Sequence, residues 1–177
     1  MRKMIVLCLA LSLAGPATAQ QGGQASAPAP ACAAMDASLP ADFTDWSGKA
    51  GLATATSTEH LPHAALALGK GYEVSLLNTP NVAFPVQPEK PGGTVAHAGL
   101  FEFTVGTGGA YTVALSTPAW IDVLEDGKYL EPASFGHGPE CTSIRTMAVF
   151  QMKPGKHALQ VSGNTAPALK LMVAKRP

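Results

Sequence analysis

From about Leu66 to the C-terminus the sequence alternates apolar and polar residues in short runs, each cut off by a turn. A period of two puts one face of a strand on a core and the other toward water. Tyr72 to Leu76 alternates in this way, as do Gly99 to Val105, Ala110 to Ser116, Trp120 to Leu124, Ile144 to Met152, His157 to Ser162 and Leu169 to Val173. The breaks between them carry turn chemistry. Gly106-Thr107-Gly108-Gly109 predicts a hairpin joining the runs on either side. Asp126-Gly127 supplies the positive φ of a tight turn, and Pro154-Gly155 and Gly163-Asn164 mark two more. Asn78 to Gly93, punctuated by Pro80, Pro85, Pro88 and Pro91, reads as irregular connection with a short edge strand at Val82 to Phe84. Ser134 to Pro139 reads as a glycine-containing loop. No helix-period stretch longer than two turns occurs in the body of the chain. The expected fold is all-β: an antiparallel β-sandwich or jelly roll in a single domain, with a short N-terminal helical turn at Ala33 to Leu39 before Pro40. Phe43 and Trp46 are expected to anchor that segment to the body.

The start of the chain sets the compartment. Met1-Arg2-Lys3-Met4 is basic, Ile5 to Ala14 is almost wholly apolar, and Ala17-Thr18-Ala19 follows the helix breakers Gly15 and Pro16. These are the three parts of a secretory signal, with cleavage expected after Ala19. The apolar run is about 10 residues, half of what a bilayer span needs. Residues 1–19 are thus a signal peptide, 20–31 a linker of small and polar residues, and 32–177 the folded domain. The location implied is the periplasm or the exterior, with no transmembrane segment once the signal is removed. Without Arg2 and Lys3, 10 of the 12 basic residues remain against 12 acidic ones. No basic stripe exists, so a nucleic-acid partner is not expected.

Two cysteines, Cys32 and Cys141, remain in the mature chain. An isolated pair in an oxidising compartment predicts a disulfide; two free thiols or a metal pair are the alternatives.

Four stretches resemble the bacterial pre-peptidase C-terminal type of β-sandwich: Phe101 to Val105, Gly109 to Leu115, Trp120 to Gly127 and Pro154 to Gly163, with His157 where an aromatic usually stands. That resemblance implies an accessory module rather than a catalyst. The mature chain is also similar to a family of small exported bacterial proteins, through Cys32 to Asp36, Glu89 to Gly93, Ala119 to Val123 and His137 to Cys141 followed by Ile144-Arg145. Members often carry a homogentisate 1,2-dioxygenase label, which implies a metal-dependent oxygenase. The large iron enzymes of that name use two histidines and a glutamate, and the corresponding spaced run is missing here.

Candidate chemistry follows from scattered residues. His60, His63, His97 and His137 are weak metal ligands, with Glu102 five residues after His97. Odd spacing would put those two on opposite faces of one strand. No cofactor is expected outside the dioxygenase reading, which would require iron or copper. No Gly-x-Ser-x-Gly elbow occurs, and Ser116, Ser143 and Ser162 have no identifiable base. Trp120 and Asp122 share one strand face. Phe135, His137, Glu140 and Arg145 flank the expected disulfide. An aromatic beside charged groups suits a sugar, peptide or protein contact. The commoner alternative is a core Trp120 with Asp122 capping a turn. The leading functional expectation is a non-catalytic module binding an unidentified ligand or envelope protein. A small metal-dependent dioxygenase and a purely structural envelope protein are the alternatives.

Overall fold

The alternating runs do become strands, but consecutive runs are dealt to different sheets. The computed structural model describes Cys32 and residues 34–177; the signal and linker readings for residues 1–31 lie outside these described residues. Twelve strands form within them: β1 Ala50–Ala53, β2 Ala65–Leu66, β3 Tyr72–Ser75, β4 Leu77–Asn78, β5 His97–Val105, β6 Gly109–Leu115, β7 Trp120–Glu125, β8 Lys128–Leu130, β9 Ser134–Gly136, β10 Thr146–Met152, β11 Gly155–Asn164 and β12 Ala168–Lys175. One sheet runs β1-β3-β12-β6-β10-β9. The other runs β2-β5-β11-β7-β8, with β4 also on β5. Most pairings are antiparallel; β1 with β3 and β2 with β5 are parallel.

The fold is a β-sandwich, and its core is where period two predicts it. In β11, Leu159 and Val161 face inward beside Phe101 of β5 and Ile121 and Val123 of β7. The facing sheet contributes Val74, Tyr111, Val113, Phe150, Leu171 and Val173 to the same cluster. Each such side chain stabilises by roughly 1.5–3 kcal/mol through removal of apolar area from water.

The outer face of the first sheet is closed by the N-terminal segment. Phe43 and Trp46, both fully buried, pack on Ala114, Met172 and Ala174, the outward residues of β6 and β12. Trp46 Nε1 donates to Ser143 Oγ at 2.8 Å, and Ser143 Oγ donates to Asp36 Oδ2 at 2.7 Å. Cys32 and Cys141 form a disulfide with Cα atoms 5.3 Å apart, so the segment is held by sulfur as well as by packing.

Four expectations are corrected. β5 and β6 are not a hairpin: they belong to different sheets, and Gly106 to Gly108 carries the chain across the sandwich. Val82 to Phe84 is not a strand, because Val82 N bonds back to Thr79 O and closes a 3₁₀ turn at Thr79–Asn81 that contains Pro80. Ser134 to Gly136 is a strand rather than a loop, paired with Met147 to Val149. The N-terminal helical turn is 3₁₀ and lies at Ala41–Phe43, after Pro40 rather than before it. Pro40 fixes φ at its N-cap, and its carbonyl accepts from Phe43 N at 2.8 Å.

A cavity under the proline-rich strap

β7 sends Ile121 and Val123 to the core, so Trp120 and Asp122 point the other way. Their cross-strand neighbours on β11 are Ser162 and Gln160. The outer face of the second sheet therefore carries a polar row, yet this row is buried: Gln160 and Ser162 are wholly inaccessible, and Asp122 is only 9% exposed. The cover is the proline-rich strap after Asn78. Lys90 O accepts from Ser162 Oγ at 3.0 Å, Gln87 O accepts from the Tyr129 hydroxyl, and the Glu89 N–H faces the Asp122 carboxylate.

Within this covered row the polar accounts do not close. Trp120 Nε1 donates to Asp122 Oδ1 at 2.9 Å. Asp122 Oδ2 is buried without a partner, and so are Nε2 and Oε1 of Gln160. The Gln160 amide comes near Asp122 and Tyr129 but reaches hydrogen-bonding geometry with neither. Buried polar atoms of native proteins are nearly always paired with protein or with water; three of the six that have no protein partner among the described residues gather here. Burial pushes the Asp122 carboxyl above the usual carboxylate range, helped by the nearby Glu89 charge and opposed by the Trp120 and Glu89 donors. Burial, with the Asp122 charge, also raises the Tyr129 phenol.

Aromatic groups wall the same place. The segment after β8 crosses to the first sheet and brings Phe135, on β9, to a ring distance of 4.9 Å from Trp120. Phe135 and Tyr129 are among the exposed large apolar side chains, at 45% and 40%. Lys90 Nζ lies 3.9 Å from the centroid of the Trp120 ring. Together these elements form a partly open pocket of about 390 Å³, lined by Glu89, Trp120, Asp122, Tyr129, Glu131 and Phe135, with Ile121 and Phe150 also touching it.

Of the six residues singled out as a binding face, the fold brings together Trp120, Asp122 and Phe135. His137, Glu140 and Arg145 do not line this cavity. His137 Nδ1 lies 3.3 Å from Arg145 O, and the Arg145 guanidinium faces Thr142 O, beside the disulfide rather than the cavity. Trp120 is half-buried rather than core, and Asp122 stands mid-strand and caps no turn. Glu89, Tyr129 and Glu131 of the lining went unforeseen as site residues, as did Gln160, buried beside Asp122. Gln160 had a signal: it alternates with Leu159 and Val161 on a predicted strand. Glu89 had no periodic signal, because an irregular connection has no period; it was marked only as the start of the Glu89 to Gly93 stretch.

The histidines do not gather. His60 Nδ1 sits 3.0 Å from Ser57 Oγ and 3.1 Å from Thr56 Oγ1 in an exposed turn that also holds His63. His97 pairs with Asn78 and Asn164 at the far end of β5. Among the described residues no three His, Cys, Asp or Glu side chains converge as a metal would need. The donor set for a two-histidine, one-carboxylate iron centre is therefore not assembled by these residues. A second charged cluster is structural in geometry. Glu125 is held down to about 2 by donors from the Lys153 side chain and backbone, at 2.9 and 3.0 Å, and by the buried His157 ring at 3.2 Å.

No family model matches the chain, and no curated protein matches it. Among solved structures it is similar to the pre-peptidase C-terminal domain of collagenase from Bacillus anthracis, at 18% identity and a TM-score of 0.39, over 62% of this chain and 91% of that one. A likeness of this degree transfers neither site nor activity.

Proposed function

We propose that this protein is an exported, non-catalytic binding module that takes a small ligand in the cavity between the proline-rich strap and Phe135. The observation that carries the reading is the buried Asp122 carboxylate, unpartnered at Oδ2, on a pocket that also takes in the rings of Trp120, Tyr129 and Phe135. Binding sites combine apolar and aromatic walls with a few convergent polar groups, and this cavity has that composition. The lining offers carboxylates, aromatics and one phenol, with no serine, cysteine or histidine to act as a nucleophile and base. The disulfide suits an oxidising compartment, where such a bond persists.

The test is a two-dimensional NMR titration that follows the Trp120 indole N–H with small amines, alcohols, carboxylates and monosaccharides at millimolar concentration. The expected result is a saturable shift of that signal, with Trp46 silent because it is sealed on the opposite sheet. Trp120→Ala and Phe135→Ala should each weaken the interaction. A Trp120 signal that no probe displaces would refute the reading.

A further inference from the structure

We propose that the ligand is a small organic amine with an apolar body, bound as its primary ammonium ion against Asp122. This rests on the cavity being a ligand site and names the class of compound it selects. Charge is the first ground. The lining carries Glu89, Asp122 and Glu131 and no basic side chain. The chain as a whole has 12 acidic and 12 basic residues, so this concentration of acid is local. Three carboxylates around one pocket, the buried Asp122 and the exposed Glu89 and Glu131, repel an anion and attract a cation.

The second ground is the unpartnered oxygen. Asp122 is nine-tenths buried, its Oδ1 is taken by Trp120, and its Oδ2, with the Glu89 N–H and the Gln160 amide nearby, completes no hydrogen bond. A carboxylate is an acceptor only, so what is missing is a donor. A primary ammonium in the pocket brings three N–H groups toward Asp122 and the rim carboxylates of Glu89 and Glu131. A quaternary ammonium has no N–H to give, so it satisfies the charge and not the oxygen.

The third ground is the aromatic wall. An ammonium is attracted to an aromatic face, most strongly to indole. The chain already places one there, since Lys90 Nζ stands 3.9 Å over Trp120. Lys90 is an exposed residue of the strap and does not line the cavity. It acts as a built-in competitor for the field that an amine ligand would use. The Phe135 and Tyr129 rings, held by Trp120 and by Gln87 O and both part-exposed, offer their open surface to the ligand's apolar body.

The experiment uses three matched probes on the full mature protein: benzylammonium, benzyl alcohol and benzoate, with the Trp120 indole signal as readout. Benzylammonium should bind about tenfold or more tightly than benzyl alcohol, weaken with salt, and leave benzoate without effect. Asp122→Asn should erase the preference for the ammonium. Glu131→Gln, an exposed rim change that spares the fold, should reduce it. Lys90→Gln should tighten ammonium binding severalfold by removing the competing charge. Equal binding of benzyl alcohol and benzylammonium, or unchanged selectivity in Asp122→Asn, overturns the amine assignment while the cavity remains a binding site. Silence of Trp120 toward all three probes overturns both.

Discussion

Asp122 is retained where a neutral residue would fold more comfortably. Its carboxyl is raised by burial, so between the ordinary value near 3.9 and the raised one the native state holds more protons than the unfolded state. Stability from this group therefore falls as pH rises through that window. Asp122→Asn keeps an oxygen for Trp120 Nε1 and removes the charge. We expect the variant to be more stable than the parent at pH 7 and no different at pH 3, by urea midpoints across pH. A less stable variant at pH 7 would mean that the charge is satisfied in the folded protein. Glu125 has the opposite sign. Its folded value near 2 lies below its ordinary 4.5, so its contribution is present above 4.5 and lost as pH falls toward 2. Glu125→Gln should flatten the acid side of the stability curve and leave Lys153 and His157 without their shared acceptor. The two variants thus change opposite limbs, which separates a carboxylate raised by burial from one held down by its donors. Of the two, only Asp122 was noticed in the sequence, through its shared face with Trp120. Its burial was not legible, because the strap that covers it follows no pattern.

At the level of elements, alternation located most strands but not their neighbours. A run such as Phe101 to Val105 reports that one face is buried; it carries no information about which sheet the next run joins. The Gly106-Thr107-Gly108 connection suits a hairpin equally well, and what decides against one is the partner each strand finds elsewhere. β5 bonds to β11, and β6 lies between β12 and β10. One side chain holds the crossing in place: the buried Tyr111 donates its hydroxyl to Thr107 O at 2.6 Å. Tyr111→Phe keeps the ring in the core and leaves that carbonyl unpaired. A loss of about 1 kcal/mol in unfolding free energy is expected by urea denaturation. No loss would show that the connection is held by the strands alone. The short strands were missed for a related reason. Ala50 to Ala53 has Gly51 and two alanines, too little apolar contrast to register as period two, and it is defined only by lying beside Tyr72 to Ser75. Trp120, Asp122 and Phe135 were legible because two share a strand and the third is a prominent aromatic. Their meeting depends on β8 and β9 belonging to different sheets, which no local pattern states.

The molecule as a whole has two covered outer faces, and the covers are fastened differently. The strap over the second sheet is held by hydrogen bonds from Ser162 and Tyr129 to its carbonyls. The N-terminal cover over the first sheet is held by Phe43 and Trp46, by the Asp36–Ser143–Trp46 chain of hydrogen bonds, and by a disulfide spanning 109 residues of sequence. A cross-link of that reach removes much freedom from the unfolded chain; the entropy model puts the effect at about 4–5 kcal/mol. A domain of this size has a net stability of about 5–15 kcal/mol, so the bond is a large share of it. Replacing both Cys32 and Cys141 by Ser should lower the urea midpoint by an amount of that order without altering the far-ultraviolet circular dichroism of the folded state. Hydrogen exchange then distinguishes two ways of losing it. If the bond acts through the unfolded state, amides of the whole sandwich exchange faster together, because every global opening becomes more frequent. If it acts by clamping the cover, acceleration is confined to the segment around Phe43 and Trp46 and to the backs of β6 and β12. The packing and hydrogen bonds at Trp46 hold that segment even without sulfur, so uniform acceleration is the expected result. Acceleration restricted to the cover would assign the bond to local fastening instead.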